Sequence, residues 1–296
     1  MLSKYVALQG YSNNFKKIDI NCYISAFLSN LNTKYENVTM KQTYPQWGTL
    51  GVFFELNING KRKFVKTHLY GSEYRKNIIR EIQIISIVYG DIIDIEQIDI
   101  EIDKVQITFL VMDYLLSYNH LITPGEIRNC ITNYQKKLSK EKIEIGYSFQ
   151  QIINAGIESL ELLYAQTFFT KELYLRCKES LQHIIDKKYE NVICHGDLSN
   201  ANIMYTQNGI PIVIDWEDVL YAFEEYDYLY WLTFFSQRKY YSSGLLKSND
   251  IEKTWGIDIM VMITIIKSKM SYLNSSYKKN TISFQDRISE FYNILN

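Results

Sequence analysis

Apolar and polar positions along this chain follow two different periods, and the switches between them divide the sequence. Over residues 19–31 apolar side chains recur at helical spacing (Ile20, Ile24, Phe27, Leu28), which predicts an amphipathic helix. Strand-like runs follow at 38–44, 52–58 and 63–67, and Asn59-Gly60 between the last two is a tight-hairpin signal. A helix is predicted over 73–88, with Ile78, Ile82, Ile85 and Val88 near one face, and two more strands over 94–101 and 105–112. These segments make a small antiparallel sheet carrying one main helix. Beyond Asp113-Tyr114 the spacing turns mainly helical, with helices predicted over 124–137, 149–169 and 171–186, the last capped by Thr170. A strand at 192–194 and a hairpin of 202–205 with 210–215, turning at Asn208-Gly209, interrupt the helices. From Glu224 onward the pattern is helical again. The apolar run 257–266 contains Asp258 and stops at Lys267, so it reads as a core helix too short to span a bilayer. The expected fold is α+β and bilobal, with a strand-rich lobe over 1–113, a hinge near 112–116, and a larger, mainly helical lobe over 114–296.

Composition narrows the function classes. A chain of 296 residues can bury a large core. The net charge of -1 gives no basic excess for nucleic acid or an anionic membrane. Cys22, Cys130, Cys177 and Cys194 form no CxxC pair and are far apart, which predicts reduced thiols rather than a disulfide frame or a zinc site. The opening residues carry no apolar leader run. The expectation is a cytoplasmic protein without a membrane span or a nucleic-acid partner.

The candidate chemistry lies in His195-Gly196-Asp197-Leu198-Ser199-Asn200-Ala201-Asn202 and in Ile214-Asp215-Trp216-Glu217. An isolated Asp or Asn in a loop is a turn-maker. Here an Asp, an Asn five positions later and a second Asp after a short hairpin form the set a phosphoryl-transfer site needs. Asp197 can take the proton of an attacking hydroxyl, and Asn202 and Asp215 can hold the magnesium that bridges nucleotide phosphates. His195 is expected to organise the loop by hydrogen bonds, and Gly196 to relax a tight turn.

These motifs and the order of elements resemble the protein-kinase-like superfamily, and within it the aminoglycoside phosphotransferase and choline kinase branch. The resemblance runs from about Val38 to Leu232. It implies a bilobal protein-kinase-like fold and transfer of the γ-phosphoryl group of ATP, with Mg2+, to a hydroxyl of a small molecule. It also implies that Lys66, on the third strand in Phe64-Val65-Lys66, contacts the α- and β-phosphates. Glu81, in the middle of the following helix, is the expected partner of Lys66, with Glu73 as rival. Trp47-Gly48-Thr49-Leu50-Gly51-Val52 lacks a full GxGxxG, yet the backbone amides of Thr49 and Leu50 can meet phosphate oxygens. Met112 is expected to border the adenine pocket, with backbone groups of Asp113 and Leu115 on the purine edge. These residues do not discriminate ATP from GTP.

Asp227 follows Asp215 by only twelve residues, which leaves no room for a peptide-docking activation segment, and no Ala-Pro-Glu is present. A small acceptor therefore fits better than a protein. Asp227 matches the family Asp that buttresses the catalytic loop. Glu217, Asp218, Tyr221, Glu224 and Trp231 follow the motif, with Phe223, Glu225 and Tyr230 among them. Carboxylates and aromatic faces of this kind can hold an ammonium group, as in choline or an amino sugar; the alternative is an aromatic core with a solvated acidic edge. A competing functional class is a catalytically silent binding or scaffold protein on the same fold. Silent members usually lack the base, the lysine or the metal-binding Asp, whereas Asp197, Asn202, Asp215 and Lys66 are all present here.

Overall fold

The computed structural model describes residues 20–43, 51–68, 71–102, 104–117, 122–241 and 253–294. Helix α1 (Ile20–Lys34) leads into strands β1 (Val38–Thr43), β2 (Gly51–Ile58) and β3 (Lys61–His68). Helix α2 (Gly71–Tyr89) follows, then β4 (Ile95–Ile102) and β5 (Val105–Asp113). The five strands form an antiparallel sheet in the order β1-β2-β3-β5-β4. Asn59 and Gly60 make the β2–β3 turn, both with positive φ (51° and 84°); this backbone twist matches the twist of the strands it joins.

Period-two alternation gives the sheet two working faces. On one face Val52, Phe54, Leu56, Val65, Phe109 and Val111 pack against Ile24, Phe27 and Leu31 of α1, with Phe27 stacked on Phe109 at 4.2 Å. On the other, Leu110 and Met112 join Ile78, Ile82, Ile85 and Val88 of α2 in a core that continues into the C-terminal helices. Lys66 sits opposite Leu110 and Phe64 opposite Met112 in the β3–β5 ladder. The lysine is therefore on the second face, turned toward the helical part of the molecule.

That part contains α3 (Pro124–Leu138), β6 (Tyr147–Ser148), α4 (Phe149–Ala165), α5 (Lys171–Ile185) and β7 (Val192–Cys194). The hairpin β8 (Ile203–Tyr205) and β9 (Pro211–Val213), β10 (Leu220–Ala222), and helices α6 (Tyr226–Leu232), α7 (Lys253–Leu273) and α8 (Phe284–Asn293) complete it. Thr123 and Thr170 cap α3 and α5 by accepting from the amides of Glu126 and Leu173, each cap contributing about 1 kcal/mol. Every residue from Ile257 to Ile266 is buried, so α7 is the central helix, packed on α4, α5, α6 and α8. Among the described residues no helix is long and apolar enough to cross a membrane.

The fold is thus the expected α+β arrangement, with local differences. Helix α4 stops at Ala165, four residues short of the predicted end, where Thr167 turns into the left-handed region (φ 55°). Two strands were not predicted, β6 and β10, which join β7 in a three-stranded sheet of order β6-β10-β7. At two and three residues they are too short to carry a readable period.

Candidate active site

Three segments converge between the sheet and the helices. The first is the turn after β7. His195 is buried and accepts the Asp197 amide on Nδ1 at 3.2 Å, while Nε2 lies 2.8 Å from the Ile214 carbonyl. These two contacts require the tautomer with its proton on Nε2, which donates to Ile214. One imidazole thereby ties the turn to the segment that carries Asp215. Asp227, at the start of α6, is fully buried and accepts the amides of His195 (2.7 Å) and Gly196 (2.9 Å) and the Tyr134 hydroxyl. Burial raises its pKa, and the hydrogen bonds from Tyr134 and from the amides of Gly196 and His195 oppose the rise. Gly196 has φ 85°, and a Cβ there would lie 2.0 Å from the Asp218 carbonyl oxygen, so only glycine fits this turn.

Asp197 follows, partly exposed. Its carbonyl accepts from Asn202 Nδ2 at 2.9 Å, and its carboxylate accepts from the Tyr230 hydroxyl. A single helical turn over Asn200–Asn202 brings Asn202 back beside Asp197. Trp231 Nε1 donates to Asn200 Oδ1 at 2.7 Å and holds that turn against α6.

The second segment is the end of β9. Asp215 sits in the left-handed region (φ 68°, ψ 54°), a conformation costing about 1 kcal/mol or more for a non-glycine residue. Its amide donates to Glu81 Oε1 at 3.0 Å, which holds it there.

The third segment joins β3 and α2. The Lys66 ammonium lies 2.8 Å from Glu81, 2.7 Å from Asp215 and 3.0 Å from Glu217. Burial lowers the lysine pKa, but Asp215, Glu217 and Glu81 outweigh it and hold the value well above the ordinary lysine level. Burial pushes Glu81 up to about 7, Lys66 opposes this, and Asp215 and Glu217 add to it. Arg80, partly buried one position before Glu81, donates to the Glu217 carbonyl at 3.4 Å and to Asn77 at 2.7 Å. Glu81 is thus the link between the strand lysine and the loop aspartate.

A cleft of about 510 Å³ opens onto this cluster, a size suited to a small organic ligand. Its lining combines Phe53, Phe64, Leu110, Met112 and Met204 with Lys66, Glu81, Asn202 and Asp215. Tyr114, Leu115 and Ser117 also line it.

Not every candidate residue gathers here. Thr49 and Leu50, with the rest of 44–50, lie outside the described residues, as does the side chain of Glu73. Asp113 is not part of the lining; its amide donates to Asp94 O at 3.1 Å and its carboxylate meets Lys63 at 2.7 Å. Asp218 and Trp231 are buried against the loop. Tyr221 and Glu224 are exposed, and β10 runs away from the turn, since Leu220 pairs with Cys194 and Ala222 with Val192. Of the residues expected to hold an acceptor, only Glu217 faces the cluster. Sequence reasoning placed Tyr230 in the segment after the motif but not as the partner of Asp197, and it did not assign Phe64 to the cleft. The period-two position of Phe64, two residues before Lys66, was a usable signal; nothing local singles out Tyr230 among the aromatic residues of its segment.

A five-stranded antiparallel sheet flanked by helices α1 and α2, a mainly helical second part and a cleft between them define a protein-kinase-like fold. The chain shares that fold with aminoglycoside phosphotransferases and a choline kinase. The sequence profile of the phosphotransferase enzyme family matches residues 157–242. Aminoglycoside phosphotransferase APH(4)-Ia superposes with a TM-score of 0.61 at 12% identity, covering 92% of this chain and 99% of that one. Choline kinase LicA from Streptococcus pneumoniae gives 0.57 at 13% identity, covering 93% and 98%. Aminoglycoside 2′-phosphotransferase-IIIa, solved as a GDP complex, gives 0.52 at 15% identity, covering 91% and 95%. Among curated proteins no sequence matches significantly.

Proposed function

We propose that this protein is a small-molecule kinase that transfers the γ-phosphoryl group of ATP to a hydroxyl group. The observation that carries this reading is one cleft lined jointly by Lys66, Met112, Asn202 and Asp215, with Asp197 bonded to Asn202 at its edge. Neighbours on this fold that were solved with ADP and hygromycin B, with AMP-PNP and hygromycin B, and with GDP support nucleotide binding at such a cleft.

In this reading residues 1–113 form the nucleotide lobe and 114–296 the catalytic and acceptor lobe. Met112 and Leu115 border the purine, with Tyr114 beside them in the lining. Lys66, held by Glu81, meets the α- and β-phosphates, and amides near Thr49 and Leu50 cover them. The donor set fits a hard divalent cation: Asn202 offers a neutral oxygen and Asp215 a charged one. Carboxylate oxygens of Glu81, Asp215 and Glu217 lie within 4.8 Å of one another. Mg2+ held by Asn202 and Asp215 would neutralise charge on the phosphates.

Asp197 acts as the base. The Tyr230 hydroxyl donates to its carboxylate and orients it, and the carboxylate accepts the proton of the attacking hydroxyl. His195 and Asp227 keep the turn in shape and touch no reacting atom. The competing reading, a silent binding protein, predicts nucleotide binding without turnover. Thermal shift with Mg·ATP followed by nucleoside diphosphate release over a panel of hydroxyl compounds separates the two. Turnover in the wild type that disappears in Asp197→Asn, with the nucleotide shift retained, supports the kinase. Equal turnover in Asp197→Asn removes the assigned base.

A further inference from the structure

A cation supplied by the chain itself stands next to the assigned base. Lys267, on the central helix α7, places Nζ 4.0 Å from the centre of the Tyr230 ring and 3.6 Å from that of Phe234. It also donates to Thr233 Oγ1 at 2.7 Å. The same Tyr230 gives its hydroxyl to Asp197. One aromatic ring therefore carries the base at its edge and an ammonium on its face. Tyr230 and Thr233 are buried, while Asp197, Phe234 and Lys267 keep partial exposure. Arg287 adds a second positive charge by donating to the Thr233 carbonyl.

We infer that Lys267 is a specificity-determining residue: it fills the aromatic cation site beside Asp197, and the acceptor is an uncharged polyol or a hydroxy acid, not an ammonium compound. This rests on reading Asp197 as the base of a kinase. Two aromatic faces and a hydroxyl around an ammonium are the elements that recognise choline-like groups elsewhere. Here the chain's own side chain satisfies them, and an incoming cation meets a like charge at close range.

The test uses the full chain with and without Mg·ADP, titrated with tetramethylammonium chloride against a sodium chloride control and followed by intrinsic aromatic fluorescence. Lys267→Ala is compared with wild type. Lys267→Gln, which keeps a donor for Thr233, serves as the second variant if the first does not fold. Vacating the site should tighten tetramethylammonium binding by about thirtyfold over wild type, the size of a desolvated cation–π contact. In nucleoside diphosphate release, wild type should use uncharged or acidic hydroxyl compounds and give only background with choline and amino sugars. Wild type binding tetramethylammonium as tightly as the variants overturns the inference. So does a folded variant that binds none, or choline turnover by wild type. The Mg·ADP thermal shift is read separately on all three proteins. Its absence in wild type counts against the kinase reading, while the tetramethylammonium titration still judges Lys267.

Discussion

Gly196→Ala tests whether the shape of the catalytic turn is imposed by packing. A Cβ built on Gly196 would lie 2.0 Å from the Asp218 carbonyl oxygen and 2.6 Å from Leu220 Cδ2. Real Cβ contacts essentially never fall below 3.0 Å, so the turn and the Asp218 carbonyl must separate by about 1 Å. Neither side can yield cheaply. The turn is pinned by Asp227 on the amides of His195 and Gly196, and Leu220 lies in the β7–β10 ladder. The left-handed backbone itself costs alanine about 1–2 kcal/mol, and forced overpacking adds about 1–3 kcal/mol. Gly209→Ala is the matched control: its φ is 78° and nothing lies within 4 Å of its Cβ, so it should lose only the backbone part. Urea denaturation should place Gly196→Ala about 2 kcal/mol below Gly209→Ala. An Asp197 displaced by about 1 Å should also lose on the order of a hundredfold in transfer, with the Mg·ADP thermal shift preserved. Equal stability of the two variants, or full transfer by Gly196→Ala, would refute the idea that this glycine sets the geometry of the base.

Three further outcomes follow from the same structure. Glu81, at about 7 in the folded protein against an ordinary 4.5, contributes stability that is complete below the ordinary value and fades as pH rises through 7. Relative to Glu81→Gln, wild type should therefore lose on the order of 3 kcal/mol between about pH 5 and about pH 8 in urea denaturation; a pH-independent difference contradicts the shift. Asp227→Asn has one acceptor oxygen for two amides and a tyrosine hydroxyl, so it should cost about 2 kcal/mol and lose hydrogen-exchange protection at His195 and Gly196, whereas retained protection contradicts the buttress. Cys130, Cys177 and Cys194 are buried, and burial pushes the first two up to about 11 and about 12. All three should resist a thiol reagent in the native protein and react after unfolding; rapid native labelling would show that the core opens.

The parts legible in the sequence were those whose spacing is enforced locally. Asp197 and Asn202 share one loop, and Asp215 returns through a hairpin announced by Asn208-Gly209, so the chain order itself carries the geometry. Lys66 was marked by its position after the Asn59-Gly60 turn, and Glu81 by its central place in the next helix. The parts that stayed hidden depend on contacts distant in the chain. Tyr230 reaches Asp197 from 33 residues away, and Lys267 meets Tyr230 from another helix. Nothing in an aromatic-rich stretch says which ring faces the base. The same ambiguity made Asp218, Tyr221, Glu224 and Trp231 read as one acceptor surface. Burial separates them: Asp218 and Trp231 are buried, while Tyr221 and Glu224 are exposed.

Transfer of labelled phosphate tests the central claim most directly. The full chain is incubated with Mg·ATP carrying a radioactive γ-phosphoryl group and a panel of small hydroxyl compounds, and the small-molecule products are separated. Label should leave ATP and appear in an organic phosphate for wild type and not for Asp197→Asn, although both bind the nucleotide. Label that stays in ATP, reaches only inorganic phosphate, or moves equally well in Asp197→Asn would contradict the account.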